Sequence, residues 1–171
     1  MSEIPQDVWG RPGGAYARLA TAFASTKPGS WSIRKLMPLD RRLMVRTHGR
    51  RTLFGPIGAP TVLLETTGRK SGLPRISPLL FAREEAGSIV VVGSNFGQEH
   101  HPAWTGNLLA RPEAVAIVRG ERIDVRAELL AGPEADAAYD LMVATTAVYA
   151  TYKGRTDREI RVFRLTPLPP A

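Results

Sequence analysis

The chain has 171 residues, 43% hydrophobic and 23% charged, and no cysteine. That length corresponds to about one domain, able to bury roughly 70% of its unfolded surface. The missing thiols exclude a disulfide scaffold, Cys-ligated zinc or iron–sulfur centres and a thiol nucleophile. The net charge is +7, and its distribution is uneven. Residues 1–51 hold ten Lys/Arg against three acids, whereas 52–171 hold thirteen of each. The expected organisation is a basic arm, 1–51, on a neutral body, 52–171.

In chain order, residues 1–14, with Pro5, Gly10, Pro12, Gly13 and Gly14, read as a loose terminus without the basic and apolar regions of a signal peptide. Tyr16, Leu19, Ala20 and Phe23 fall at helical spacing, and Lys27-Pro28-Gly29 reads as the stop. A further short helix is expected over 30–37, before Pro38. Asp40 then reads as the N-cap of another, with Leu39 and Met44 as a hydrophobic staple and Gly49 as its end.

From Pro60 the period changes to that of strands. Strands are expected at 61–66 (TVLLET), 75–82 (RISPLLFA), 88–92 (SIVVV), 114–119 (AVAIVR), 122–129 (RIDVRAEL) and 161–165 (RVFRL), with a hairpin turn at Gly120-Glu121. One helix opens at His101-Pro102, with Pro at its first position, and runs to about Ala110. Another opens at Gly132-Pro133 and continues to Ala150. Strands grouped this way do not alternate with helices as in a parallel α/β sheet. The order predicts an α+β, mainly β protein: an antiparallel sheet closing into a small barrel with flanking helices. No apolar run reaches the roughly 18 residues of a membrane span.

Three stretches carry the chemistry. The first is Thr66-Thr67-Gly68-Arg69-Lys70-Ser71-Gly72-Leu73-Pro74-Arg75. It packs three cations, hydroxyls and tight-turn residues between two strands. It is either a solvated basic hairpin or a cradle for phosphate or carboxylate, and its glycine spacing is not that of a P-loop. The second, Val92-Gly93-Ser94-Asn95-Phe96-Gly97, leads into His100-His101-Pro102-Ala103-Trp104. Small residues and free N–H groups at a helix start suit a planar polar ligand or an anion. The adjacent histidines have no acidic cluster to make a metal site, so His101 reads as a capping or solvent-facing residue. Trp104 and Leu108 read as core. The third, residues 149–158 (YATYKGRTDR), sets two tyrosines three apart at a helix end, as a pocket wall or as ordinary amphipathic residues. Asp157 there reads as a surface ion-pair partner of Arg155 or Arg158. No nucleophile elbow, H-E-x-x-H or G-x-G-x-x-G after a strand is present.

Taken together, 63–78 (LLETTGRKSGLPRISP), 90–107 (VVVGSNFGQEHHPAWTGN) and 149–160 (YATYKGRTDREI) resemble the deazaflavin-dependent nitroreductase and quinone reductase family, from about residue 35 to the C-terminus. The resemblance implies a six-stranded antiparallel split β-barrel of the FMN-binding type, with coenzyme F420 as cofactor. It implies hydride transfer from reduced deazaflavin to a small hydrophobic acceptor: a quinone, an activated alkene (enone) or a nitroaromatic compound. Lys70, Ser71, Gly72 and Arg75, with Arg69, resemble the residues that hold the phosphate and oligoglutamate tail. Ser77, Pro78 and Leu79 resemble the strand along the deazaflavin, and Ser94, Asn95, Phe96, Gly97 and Gln98 the loop around its ring and chain. His101, Pro102, Ala103 and Trp104 resemble the following helix start, and Tyr149 and Tyr152 the aromatic wall of the substrate pocket. A proton must accompany the hydride, from Ser94, Tyr149, Tyr152 or water.

Two departures stand out. Asn95-Phe96-Gly97 replaces the Lys-Gly-Gly of many members, giving one cation fewer and one ring more. Thr146 stands where nitroimidazole-activating members have a third tyrosine, which argues against that activity. Two other classes remain: a split barrel that binds FMN or haem, or merely carries the deazaflavin, and a module that binds an anionic membrane surface through the arm's basic amphipathic helices. The aromatic residues are not interleaved on a strand platform, so no nucleic-acid partner is expected. The expected location is the cytoplasm, with peripheral contact at the inner face of the cell membrane through the arm. Monomer and dimer are equally compatible with the sequence.

Overall fold

Six runs of period-two residues form one continuous antiparallel sheet in the computed structural model, which describes residues 26–53, 60–84 and 87–169 together with Ile4, Leu19, Ala22 and Phe23. The strands are β1 (Thr61–Thr67), β2 (Pro74–Arg83), β3 (Ile89–Val92), β4 (Glu113–Val118), β5 (Glu121–Leu130) and β6 (Val162–Pro167). They close in the order β1-β2-β3-β6-β5-β4, with β4 returning to β1. Register is set by the buried faces: Leu64 of β1 lies opposite Ser77 of β2 on one side and Ala116 of β4 on the other.

The alternation explains which face each strand buries. In β5, Ile123, Val125 and Ala127 point inward while Arg122, Asp124 and Arg126 point out. All four residues of β3 are buried. Ile89 and Val91 enter the barrel core, and Val90 and Val92 face the helices outside. A strand covered on both faces is apolar throughout, hence the run IVVV. Phe81, Phe163, Leu165 and Trp104 fill the interior; the Trp104 and Phe163 ring centroids are 5.6 Å apart.

Four α-helices are described beside the barrel: α1 (Lys27–Arg46), α2 (Ala103–Ala110), α3 (Gly132–Thr145) and α4 (Val148–Lys153). Several local expectations change. The Lys27-Pro28-Gly29 stop is instead the beginning of α1: Thr26 caps it by accepting from the Gly29 N–H, and Pro28 occupies the first turn, where no N–H is needed. Pro38 lies inside this helix and removes one i→i−4 bond without ending it. Asp40 is therefore no N-cap. It is 2% exposed, and its Oδ1 accepts from Thr52 Oγ1 (2.9 Å) and the Leu53 N–H (2.6 Å), tying the helix to the chain that leads to the barrel. Met44 packs on Leu63 and Ile117 of the barrel wall.

The β4–β5 turn falls on Arg119-Gly120, both at positive φ (51° and 90°), one residue before the expected pair. Pro102 is the cap of α2 rather than its first residue. The single helix expected to reach Ala150 breaks at Thr146-Ala147 into α3 and α4, and the Tyr139 hydroxyl bridges the break to the Tyr149 carbonyl at 2.8 Å. Of the expected first helix, Leu19, Ala22 and Phe23 are helical and exposed; Tyr16 and Ala20 lie outside the described residues. The expected loose terminus also lies outside them, apart from Ile4, which is buried in the barrel core and accepts from Arg83 through its carbonyl at 2.6 Å.

Candidate functional site

A cavity of about 320 Å³ lies between β2, the chain after β3, the α3–α4 junction and α1. Ser77, Pro78, Leu79, Ser94, Asn95, Phe96, Trp104, Tyr149 and Tyr152, all singled out from the sequence, line it. Arg69, Lys70, Ser71, Gly72 and Arg75 do not; they form the exposed β1–β2 loop. That loop and the cavity are joined by β2 itself. Arg75 precedes Ser77 by two residues, or about 7 Å of strand. Gly97, Gln98 and His101 follow the lining residues in the chain without lining the cavity. Ala103 is exposed at the start of α2, and its neighbour Pro102 lines the cavity instead.

The loop is shaped and cationic. Gly68 N–H donates to Leu73 O (2.9 Å), Gly72 N–H to Gly68 O (2.7 Å), and Gly72 turns at φ 68°. No described carboxylate is in ion-pair contact with Arg69, Lys70 or Arg75, so their charge faces solvent. A buried asparagine fixes the loop to the barrel end. Asn107 Oδ1 accepts from the Arg69 N–H (3.1 Å), and its Nδ2 donates to Thr66 Oγ1 (3.0 Å). A Cβ at Gly106 would lie 1.9 Å from Arg69 Nη1, so the guanidinium rests where only glycine leaves room.

The chain after β3 makes a left-handed turn through Asn95, Phe96 and Gly97, at φ 47°, 57° and 76°. A bulky residue in this region is strained by about 1–3 kcal/mol. Arg158 holds the turn in place. Its Nη2 donates to Gly93 O (3.0 Å) and Ser94 O (2.7 Å), and its Nε to Gln98 O (2.8 Å). Phe96 meets the Tyr152 ring edge-on, 5.8 Å between centroids. Gly97 is required twice: by its φ, and because a Cβ would lie 2.6 Å from Arg155 Cβ.

His101 is neither a cap nor a solvent-facing residue. Its Nδ1 lies 3.1 Å from Arg158 Nη1. Burial, then the charges of Arg161 and Arg158, hold its pKa below the usual histidine value, so the ring is neutral at pH 7. An Nδ1 that accepts from a guanidinium assigns the ring proton to Nε2. Burial first, then the neighbouring Tyr152 and Tyr139, push the Tyr149 phenol up, while a hydrogen bond with the Ser94 side chain opposes the shift. Tyr149 is therefore a neutral phenol throughout the physiological range. Tyr139 is pushed up to about 12 by burial.

Sequence reasoning missed five groups at this site. The sequence offers Arg158 only as one of two ion-pair candidates for Asp157, whereas its partners at this site stand 57–65 positions earlier in the chain. Asn107, at the end of the 90–107 stretch, carries no local signal of its contact with Arg69 and Thr66. Ile33, Met37 and Asp40 of the arm line the cavity, so the arm supplies one of its walls.

A family model described as F420H(2)-dependent quinone reductase matches residues 18–167. The chain is 32% identical over 135 residues to an F420H(2)-dependent quinone reductase of Mycobacterium tuberculosis, spanning 77% of this chain and 90% of that protein. Among solved structures, an F420-H2 dependent reductase aligns with a TM-score of 0.58 at 36% identity, covering 63% of this chain and 94% of its own. Another, described as a domain-swapped dimer, aligns with a TM-score of 0.60 at 31% identity, covering 82% of this chain and 100% of its own.

Proposed function

Because the chain belongs to the F420H(2)-dependent quinone reductase family, we propose that it uses reduced coenzyme F420 to reduce a quinone seated in the 320 Å³ cavity. The observation that carries this reading is the continuity, along β2, between an exposed cationic loop with no described acidic partner and an apolar-walled cavity. An elongated ligand with a planar ring and an anionic tail fits both ends at once. The cavity also holds an orphaned polar atom, the buried Thr146 Oγ1, which has no hydrogen-bond partner among the described residues. A carrier of FMN or haem is the less favoured reading, since the family model and the relatives whose descriptions name an activity at more than 30% identity are F420-dependent reductases.

When bound, the coenzyme supplies a hydride to the quinone, which with one further proton becomes a hydroquinone. The protein's part is position and electrostatics. Arg69, Lys70 and Arg75 hold the tail phosphate and carboxylates, with Ser71 and Gly72 shaping the loop. Ser77, Pro78 and Leu79 would flank the ring, with Ser94, Asn95 and Phe96 on the other side; Gly97 and Gln98 complete the turn that Arg158 holds. Pro102 and Trp104 would close the far side, with His101 and Ala103 flanking them outside the cavity lining. Ser94, Tyr149 and Tyr152 place hydroxyls at the acceptor. Tyr149, kept neutral by burial, donates a hydrogen bond to the acceptor carbonyl as it gains charge.

Titration with the reduced coenzyme, followed by oxidation with menadione, an enone and a nitroaromatic, tests the reading. Menadione is the expected best acceptor. Lys70→Gln with Arg75→Gln is expected to weaken coenzyme binding at least tenfold and flatten its salt dependence, leaving kcat at saturation near the parent value. Unchanged affinity would remove the loop from the site. Tyr152→Phe with unchanged turnover and acceptor affinity would exclude that phenol.

A second property concerns α1. Trp31, Leu36 and Leu39 are 56%, 46% and 55% exposed beside the exposed Lys35, Arg42 and Arg46. This combination suits the surface of an anionic bilayer; among the described residues no helix is long and apolar enough to cross one. Salt-sensitive pelleting with anionic vesicles that survives removal of residues 1–51 would rule the arm out.

A further inference from the structure

A buried carboxylate in an apolar cavity needs a partner. Asp40 is 2% exposed and lines the cavity from the α1 side. Both of its hydrogen bonds, from Thr52 Oγ1 and the Leu53 N–H, fall on Oδ1. No described residue donates to Oδ2, and no described cation pairs with the group. Anchoring α1 explains Oδ1 alone, and an asparagine would do the same. Among the described residues Thr146 Oγ1 is the enclosed side-chain polar atom without a partner, so Asp40 Oδ2 keeps accessible surface, and the space that Asp40 lines is this cavity.

A second unsatisfied group lines the same cavity. Thr146 is 6% exposed, sits at the break between α3 and α4, and its hydroxyl has no partner. Its N–H already bonds to Met142 O at 2.8 Å, so the backbone has no use for the side chain. One of these groups only accepts hydrogen bonds; the other both accepts and donates. The remaining lining is largely apolar, including Ile33, Met37, Leu80 and Val148.

The geometry points to Asp40 and Thr146 as the residues that select the acceptor: a quinone carrying a neutral hydroxyl substituent, whose O–H donates to Asp40 Oδ2 while a ring carbonyl accepts from Thr146 Oγ1. This rests on the quinone reductase reading and names the acceptor class within it. Neither residue belongs to the cationic loop assigned to the coenzyme tail, so the assignment expects their effect on acceptor affinity, and measuring coenzyme affinity in the same variants checks it. A site built to accept from a hydroxyl discriminates against the analogue that lacks it, because the buried carboxylate is then left unpaired.

The test compares menadione with 2-hydroxymethyl-1,4-naphthoquinone, which differs from it by one hydroxyl. Binding of each to the coenzyme-loaded and coenzyme-free protein is measured by calorimetry, and turnover separately. The wild type is expected to bind the hydroxymethyl compound at least tenfold more tightly. Asp40→Asn keeps a carbonyl oxygen for Thr52 and Leu53 but turns a donor toward the ligand, and is expected to bring that ratio close to one. Thr146→Val is expected to weaken both quinones about equally, since it removes the bond to the carbonyl they share. Equal affinities in the wild type overturn the assignment whether or not Asp40→Asn folds, as does a ratio that survives Asp40→Asn. A retained binding preference without turnover of either quinone would instead refute the reductase reading and leave the Asp40 site standing.

Discussion

Arg158→Gln removes the group that holds the left-handed turn. Three charge-assisted hydrogen bonds of 2.7–3.0 Å reach the carbonyls of Gly93, Ser94 and Gln98. Each is worth about 1.5–3 kcal/mol. Against them stands the strain of Asn95 and Phe96 at positive φ, about 1–3 kcal/mol apiece. The bonds outweigh or match the strain, so without Arg158 the turn is expected to relax toward ordinary backbone and let water reach the freed carbonyls. The barrel core is untouched, so the melting temperature should fall by only about 5 °C or less. Coenzyme affinity should fall tenfold or more, which is about 1.4 kcal/mol. The His101 pKa, followed by NMR, should rise toward 6.5 because one of the two cations that depress it is gone. Arg158→Lys separates charge from shape: it should leave His101 depressed yet fail to restore affinity, since an ammonium lacks the planar fork. Wild-type coenzyme affinity in either variant would refute this reasoning.

Gly106→Ala should displace the Arg69 guanidinium, because the new Cβ would lie 1.9 Å from Nη1. The obstacle is the end of a flexible side chain, so thermal stability should hold while coenzyme affinity drops several-fold, as read by fluorescence titration. Thr146→Val should stabilise the protein by about 1 kcal/mol in denaturant unfolding, because a buried hydroxyl without a partner is removed. Glu84 is held below its ordinary value near 4.5, chiefly by its hydrogen bonds from Arg164 at 2.7 and 2.9 Å. A depressed carboxylate contributes stability that is complete above 4.5 and lost as the pH falls through the folded value. Melting temperature between pH 5 and 3 should therefore fall less steeply in Glu84→Gln than in the wild type; parallel slopes would contradict the assignment.

The barrel was legible because its signal is local. Alternation in β5 and the double-sided apolar run of β3 are statements about neighbouring residues, and the order of elements excluded a parallel sheet. The exposed tip of the site was legible too, since Gly, Ser and cations cluster between two strands. What stayed hidden depends on distance. Arg158 meets carbonyls 60 to 65 positions away, and no periodicity announces that. Asp40 carries the local signature of an N-cap, Asp after Pro-Leu and before an apolar run. Tertiary packing overrode it: α1 runs on through Pro38 and buries the carboxylate against Thr52 and Leu53. The break at Thr146 had a faint local signal, the β-branched Thr145, Thr146 and Val148, but no Pro or Gly to mark a stop; beyond it Tyr149 and Tyr152 join the cluster that covers Val90 and Val92 of β3.

One continuous site on β2 is proposed to hold a deazaflavin coenzyme and a quinone together. Loading the full-length protein with reduced coenzyme F420 and adding menadione tests it most directly. The visible absorbance of the oxidised deazaflavin should appear in proportion to the quinone consumed, one for one, and should be lost with Lys70→Gln and Arg75→Gln at sub-saturating coenzyme. A folded protein that binds no coenzyme, or that binds it and leaves menadione untouched, would contradict the account.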